Sequence, residues 1–123
     1  MLSHEKLDVY KLSIAFAGLA FKLIAGLRKG NNLGPLADQL RRAAISIPLN
    51  IAEASGRFSG PDRARFFAIA RGSATECGAI LDVARLEACD DEALLDEGKA
   101  LLRRIVGMLT KMCSNCGEHR ASP

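Results

Sequence analysis

The chain has no tryptophan, one tyrosine, three valines and two threonines among its 123 residues. Strands are built from β-branched and aromatic residues, so this scarcity excludes a mainly β domain. Against it stand 19 alanines and 17 leucines, the strongest helix formers. Hydrophobic residues make up 49% and charged residues 25%, which excludes a disordered chain. At this length one domain buries roughly two-thirds of its unfolded surface and needs no disulfide or metal staple. The composition gives a helical domain and leaves the activity open.

A leader and a membrane span are also missing from the pattern. Met1-Leu-Ser-His-Glu-Lys lacks the basic start, apolar run and small-residue cleavage site of a signal peptide. The longest apolar stretch, Leu12 to Leu27, is interrupted by Lys22; at 16 residues it reads as a core helix, not a bilayer span. Cys77, Cys89, Cys113 and Cys116 are then expected as reduced thiols in a cytoplasmic protein with no membrane partner.

Gly and Pro divide the chain into four periodic segments. The first runs from about Leu7 to Arg28, ending at Lys29-Gly30-Asn31-Asn32, and carries two apolar seams. Leu7, Tyr10, Ile14, Ala17, Phe21 and Ile24 form one; Val9, Leu12, Phe16, Leu19, Leu23 and Leu27 form the other. A helix on the side of a small bundle needs one stripe, so the second suggests contact with another chain. The second segment starts near Pro35, buries Leu36, Leu40, Ala44, Ile47 and Ile51, and ends near Gly56. Pro48 lies inside it and predicts a kink or local break. Ser59 and Pro61 open the third segment, which runs to Ala84; Asp90-Asp91-Glu92 opens the fourth, with Leu94, Leu95, Leu101, Leu102, Ile105, Leu109 and Met112 on its core face. Short connections between long helices predict an all-α, antiparallel, up-and-down four-helix bundle over 1–117, followed by a flexible tail over 118–123.

The polar residues offer little catalytic chemistry. Arg42, Ser46, Asn50, Glu53 and Arg57 share one face of the second helix, while Ser73 and Glu76 sit beside apolar positions of the third. Glu53 and Glu76 suit an acid/base pair or half of a carboxylate metal site. A hydrogen-bonded network of Ser46, Asn50, Glu53, Ser73 and Glu76 that fixes helix register is the reading the sequence favours. The two histidines, His4 and His119, lie at opposite ends, and there is no Glu-x-x-His, phosphate loop, nucleophile elbow or Ser/His/Asp set. No catalytic residue, metal site or cofactor is therefore expected. Cys113-Ser-Asn-Cys116 lacks a second Cys-x-x-Cys for zinc and the βαβ setting of a redox pair.

Charge is unevenly spread. From Arg41 to Arg71 six arginines (Arg41, Arg42, Arg57, Arg63, Arg65, Arg71) face Glu53 and Asp62, a balance of +4. From Asp82 to Glu97 seven acids face Arg85, a balance of −6. This polarity suits a phosphate-binding surface, a head-to-tail contact between copies, or a solvated bundle surface. Aromatic residues outside the core are limited to Tyr10 and Phe58, too few for recognition by base stacking.

The run Gln39-Leu-Arg-Arg-Ala-Ala-Ile-Ser-Ile-Pro-Leu-Asn-Ile-Ala-Glu53, then Gly56-Arg57 and Ala70-Arg-Gly-Ser73 with Glu76, resembles the four-helix-bundle proteins encoded in intervening sequences of bacterial large-subunit (23S) ribosomal RNA genes. Leu7-Asp-Val-Tyr10 is similar to that family's opening, so the resemblance spans about Leu7 to Met112. It implies a ring, usually a homopentamer. A related protein, the accessory variability determinant of diversity-generating retroelements, binds nucleic acid and a reverse transcriptase through basic surfaces. Ser46, Asn50, Glu53, Arg57, Ser73 and Glu76 match the family's polar positions, and Arg41 and Arg42 its basic pair. This chain has Glu53-Ala54 where the family commonly has Glu-Gly, and Gly78 and Ile80 where it tends to have an acid and a Gln.

These features together predict a non-enzymatic oligomer whose six arginines contact structured RNA or DNA through the phosphate backbone. The alternatives are a protein-interaction scaffold without nucleic acid, and a small hydrolase or metal enzyme built on Glu53 and Glu76.

Overall fold

The computed structural model describes residues 4–30, 34–87 and 91–121, with side chains described for 5–27, 34–87 and 91–116. Cys89, Asp90, the Asn31-Asn32 cap, residues 122–123 and the side chains of Arg28, Lys29 and His119 lie outside the described residues. Helices α1 (His4–Gly30), α2 (Gly34–Ser55), α3 (Gly60–Leu86) and α4 (Glu92–Ala121) follow one another through short connections. The last helix continues past Gly117, where the sequence pattern ends the bundle, as far as Ala121.

The helices pack in chain order, α1 on α2, α2 on α3 and α3 on α4, and α1 also packs on α4; the backbones of the diagonal pairs α1/α3 and α2/α4 do not come close. The result is the up-and-down bundle that the periodicity predicts. Val9, Phe16, Leu40, Ile47, Phe67, Leu81, Leu95 and Ile105 fill its centre. Of the two α1 seams, the one through Val9, Phe16, Leu19, Leu23 and Leu27 faces this core. The other stays half open, with Ile14 48% and Phe21 42% exposed. By length and composition alone α1 could cross a membrane, with a mean hydropathy of 1.5 over its apolar window. Its burial against α2 and α4 accounts for the same apolarity as a core helix.

Local signals set the helix starts. The Ser59 hydroxyl accepts the Asp62 amide at 3.2 Å, with Pro61 in the first turn. Asp91 does the same for the Leu94 amide at 3.0 Å. Of the kink or break that Pro48 predicts, the break does not occur, because α2 runs through it. Its ring is buried in the core, so packing offsets the hydrogen bond it cannot donate to Ala44. One turn later Asn50 Nδ2 adds a bond to the Ser46 carbonyl at 2.8 Å. Buried Ser13 donates to the Tyr10 carbonyl at 2.7 Å, and among the described residues no buried polar side-chain atom lacks a partner.

Gly98 is where α4 comes closest to its neighbours. A Cβ there would lie 3.1 Å from both Leu19 Cδ2 and Leu81 Cδ1. Gly107, on the same helix, faces open space. Gly107→Ala should therefore raise stability by about 0.5–1 kcal/mol, while Gly98→Leu should lower it by about 1–3 kcal/mol through overpacking. Urea unfolding of both variants checks this contrast.

Burial, aided by nearby Glu76, pushes the Cys77 thiol up to about 12. An unfolded thiol ionises near ~8.5, so its contribution is fully present below that pH. It is lost as pH rises towards the folded value, at up to about 1.4 kcal/mol per pH unit. Denaturation at pH 8 and pH 10 should show this loss in the native chain and a shallower fall in Cys77→Ala; equal slopes would refute it.

Candidate nucleic-acid interface

The alternating directions of the helices convert the linear charge pattern into two ends. The α2–α3 turn and the α3–α4 turn lie at opposite ends of the bundle because α3 runs its full length between them. Arg57, Arg63 and Arg65 gather at the first turn, with Arg71 along the same half of α3. Asp82, Glu87, Asp91, Glu92, Asp96 and Glu97 gather at the second. Arg85 sits among those acids, donating to Asp96 Oδ1 at 2.8 Å and pairing with Glu92. The bond to Asp96, with those carboxylates around it, raises the Arg85 pKa further. Lys99 binds Asp82 at 2.8 Å.

At the basic end, three of the arginines also serve the turn itself. Arg63 Nη1 donates to the carbonyls of Arg57 at 3.1 Å and Phe58 at 3.0 Å, tying the turn to α3. Arg57 pairs with Glu53 at 2.9 Å and approaches Asp62 at 3.6 Å, while Arg65 pairs with Asp62 at 3.0 Å. Their guanidinium groups stand over the Phe66 ring, at 4.5 and 4.6 Å from its centroid. Planar guanidinium groups suit such stacking. Phe66 is thus half-buried between two cations, a placement its position in the apolar pattern did not indicate.

Arg71 is differently engaged: its Nε donates to Thr110 Oγ1 at 2.6 Å, a neutral partner that leaves the charge uncompensated. That bond brings α4 into the site. Antiparallel pairing of Arg71 with Thr110 sets exposed Lys111 level with residue 70, in the same half as the turn arginines, and exposed Arg103 and Arg104 level with residues 78 and 77, past the middle of α3. Among the described residues these three and Arg42 take part in none of the ion pairs. Lys111 lay outside the charge-rich windows of the sequence, and only the helix register joins it to the turn arginines.

Arg41 and Arg42 stand apart from this end. Fifteen residues separate Arg42 from Arg57, about 22 Å along α2. Arg41 lies over the Phe21 ring at 5.3 Å. The six arginines grouped by sequence are thus not one patch.

The polar network is smaller than the sequence suggests. Ser46 and Ser73 share a hydroxyl–hydroxyl bond of 2.8 Å across α2 and α3, and Asn50 Nδ2 donates to Ser46 Oγ at 3.0 Å. Glu53 turns to Arg57 and is exposed, and Glu76 is exposed one turn beyond Ser73. With Ser46 opposite Ser73, Glu53 is level with about residue 66 of α3, some ~15 Å along the axis from Glu76. The two carboxylates are not brought together as an acid/base pair. Among the described residues no three His, Cys, Asp or Glu side chains group as metal ligands. Cys113 and Cys116 are free, half-buried thiols; burial and the neighbouring Cys116 raise the Cys113 pKa.

The fold is similar to that of a protein of unknown function from the S23 ribosomal protein family of Bacteroides thetaiotaomicron. The two share 21% identity over 89% of this chain and 98% of the other, with a TM-score of 0.80. A comparison with curated proteins finds no match. The family profile described as 23S rRNA-intervening sequence protein matches residues 5–111, nearly the whole bundle. The chain belongs to the family of 23S rRNA-intervening sequence proteins.

Proposed function

We propose that this protein is a non-enzymatic, homo-oligomeric helical bundle whose basic end binds structured RNA or DNA through the phosphate backbone. The observation that carries this reading is the cluster at the basic end centred on Arg71 and Lys111, cations with no acidic partner among the described ion pairs. Arg57, Arg63 and Arg65 extend the cluster, with part of their charge offset by Glu53 and Asp62. Such groups contact phosphates without reading sequence. The acidic end repels a polyanion and so orients the bundle on it. One chain carries a net +3, but five copies in a ring would carry roughly +15 and add their contacts by avidity.

A second reading rests on the tip of the α2–α3 turn. Phe58 is fully exposed there and Leu49 60% exposed, beside an open hollow of about 740 Å³ lined also by Ala52 and Gly56. An apolar pair of this kind favours a protein partner at the same end. A partner recovered from lysate whose contact survives nuclease and high salt would favour this scaffold over nucleic-acid binding.

Electrophoretic retardation of an RNA hairpin tests the first reading. Affinity should fall steeply between about 50 and 200 mM salt. Arg71→Ala with Lys111→Ala should weaken binding at every sequence and lower the salt slope by about 2, whereas Glu97→Gln at the acidic end should not weaken it. No retardation at low salt, with the oligomer intact, would overturn it.

A further inference from the structure

Two exposed stripes remain on helices whose backbones do not come close to each other. On α1, Ile14, Gly18, Phe21 and Ala25 follow one another at spacings of four, three and four, all on the solvent side. On α3, Ile69, Gly72, Glu76, Ala79, Val83 and Leu86 follow at three, four, three, four and three, with Leu86 85% exposed. Alternating spacings of three and four are what a helix needs to pack along another helix by knobs into holes. The bundle core uses neither stripe.

We infer that the α1 stripe of one copy packs against the α3 stripe of the next, a heterologous contact between unlike faces. This rests on the homo-oligomer reading and deepens it by naming the two surfaces.

The first argument is size. The large knobs Ile14 and Phe21 are seven residues apart on α1, and the small residues Gly72 and Ala79 are seven apart on α3. Knobs of one stripe therefore fall on gaps of the other, while Gly18 and Ala25 make room for Glu76 and Val83. No atom lies within 4 Å of where a Gly18 or Gly72 side chain would be, so both gaps are open in the single chain.

The second argument is height. Phe21 beside Arg41 and Ser46 beside Ser73 relate the levels of α1, α2 and α3 within one bundle. They place Ile14 level with about residue 71 of α3 and Phe21 level with about residue 78. A closed ring with its axis along the helices moves no copy up or down, so that register carries over to the neighbour. It lies within one residue of the match between Ile14 and Gly72, and between Phe21 and Ala79.

The third argument is charge. Exposed Lys11 and Lys22 flank the α1 stripe, whereas Glu76 lies in the α3 stripe and exposed Asp82 and Glu87 beside it. Like faces would set lysines against lysines, or acids against acids; unlike faces set opposite signs together. Because α1 and α3 occupy diagonal corners, each copy uses both faces once and the chain of contacts can close.

Blocking one face at a time tests the pairing. Gly18→Arg spoils the α1 stripe and leaves α3 intact; Ala79→Arg does the reverse. Both sites are exposed and arginine is a good helix former, so circular dichroism should show unchanged helix content. Light scattering should find the unaltered chain as an oligomer and each variant alone at its 13.2 kDa monomer mass. The mixed variants should form a 1:1 pair of about 26 kDa, twice that mass, and nothing larger. If both variants keep the full assembly size, or form dimers alone, or fail to associate when mixed, the pairing is overturned while the oligomer reading stands. An unaltered chain that is itself a monomer would overturn both.

Discussion

The register between α2 and α3 is the constraint on which the rest of the structure depends. Ser46 and Ser73 meet hydroxyl to hydroxyl inside an otherwise apolar seam, and Asn50 closes the triangle from one turn away. A slip by one helical turn would separate the two hydroxyls and leave half-buried polar groups without partners, a cost of about 1–3 kcal/mol for each buried group. Burial of the surrounding alanines and isoleucines is non-directional, whereas hydrogen bonds between polar groups hold only in the register that is used. The height of every other helix follows from it.

Fixing that register fixes the electrostatics. The turn that holds Arg57, Arg63 and Arg65 stands at one end, and the turn that collects six described acids stands at the other. Arg71 and Thr110 then carry the basic end across to α4. At this end the arginines divide their work. Arg63 holds the turn backbone and Arg57 and Arg65 clasp Phe66, which keeps the turn rigid and Phe58 displayed. Lys111 has no such duty and presents its full charge to solvent.

Much of the fold was legible because helical periodicity is a local signal. The seam from Val9 to Leu27, the Ser59 cap and the acidic start of α4 are each readable within a few residues, and each stands where the pattern puts it. Pro48 does not break α2, since its local cost says nothing of the core packing that offsets it. The site was less legible for the same reason. Six arginines close in sequence form two separate groups, because a helix spreads fifteen residues over about 22 Å. Lys111 is distant in sequence yet lies level with Arg71. Glu53 and Glu76 share a pattern with Ser46 and Ser73, but exposure and Arg57 draw Glu53 out of the network.

Amide hydrogen exchange with and without an RNA hairpin tests most directly whether the basic end is the binding surface. Slower exchange should be confined to the α2–α3 turn, the first half of α3 and the stretch of α4 from Thr110 onward. Exchange around Asp82 to Glu97 should not change. Protection centred on that acidic end, or spread evenly along all four helices, would contradict the account.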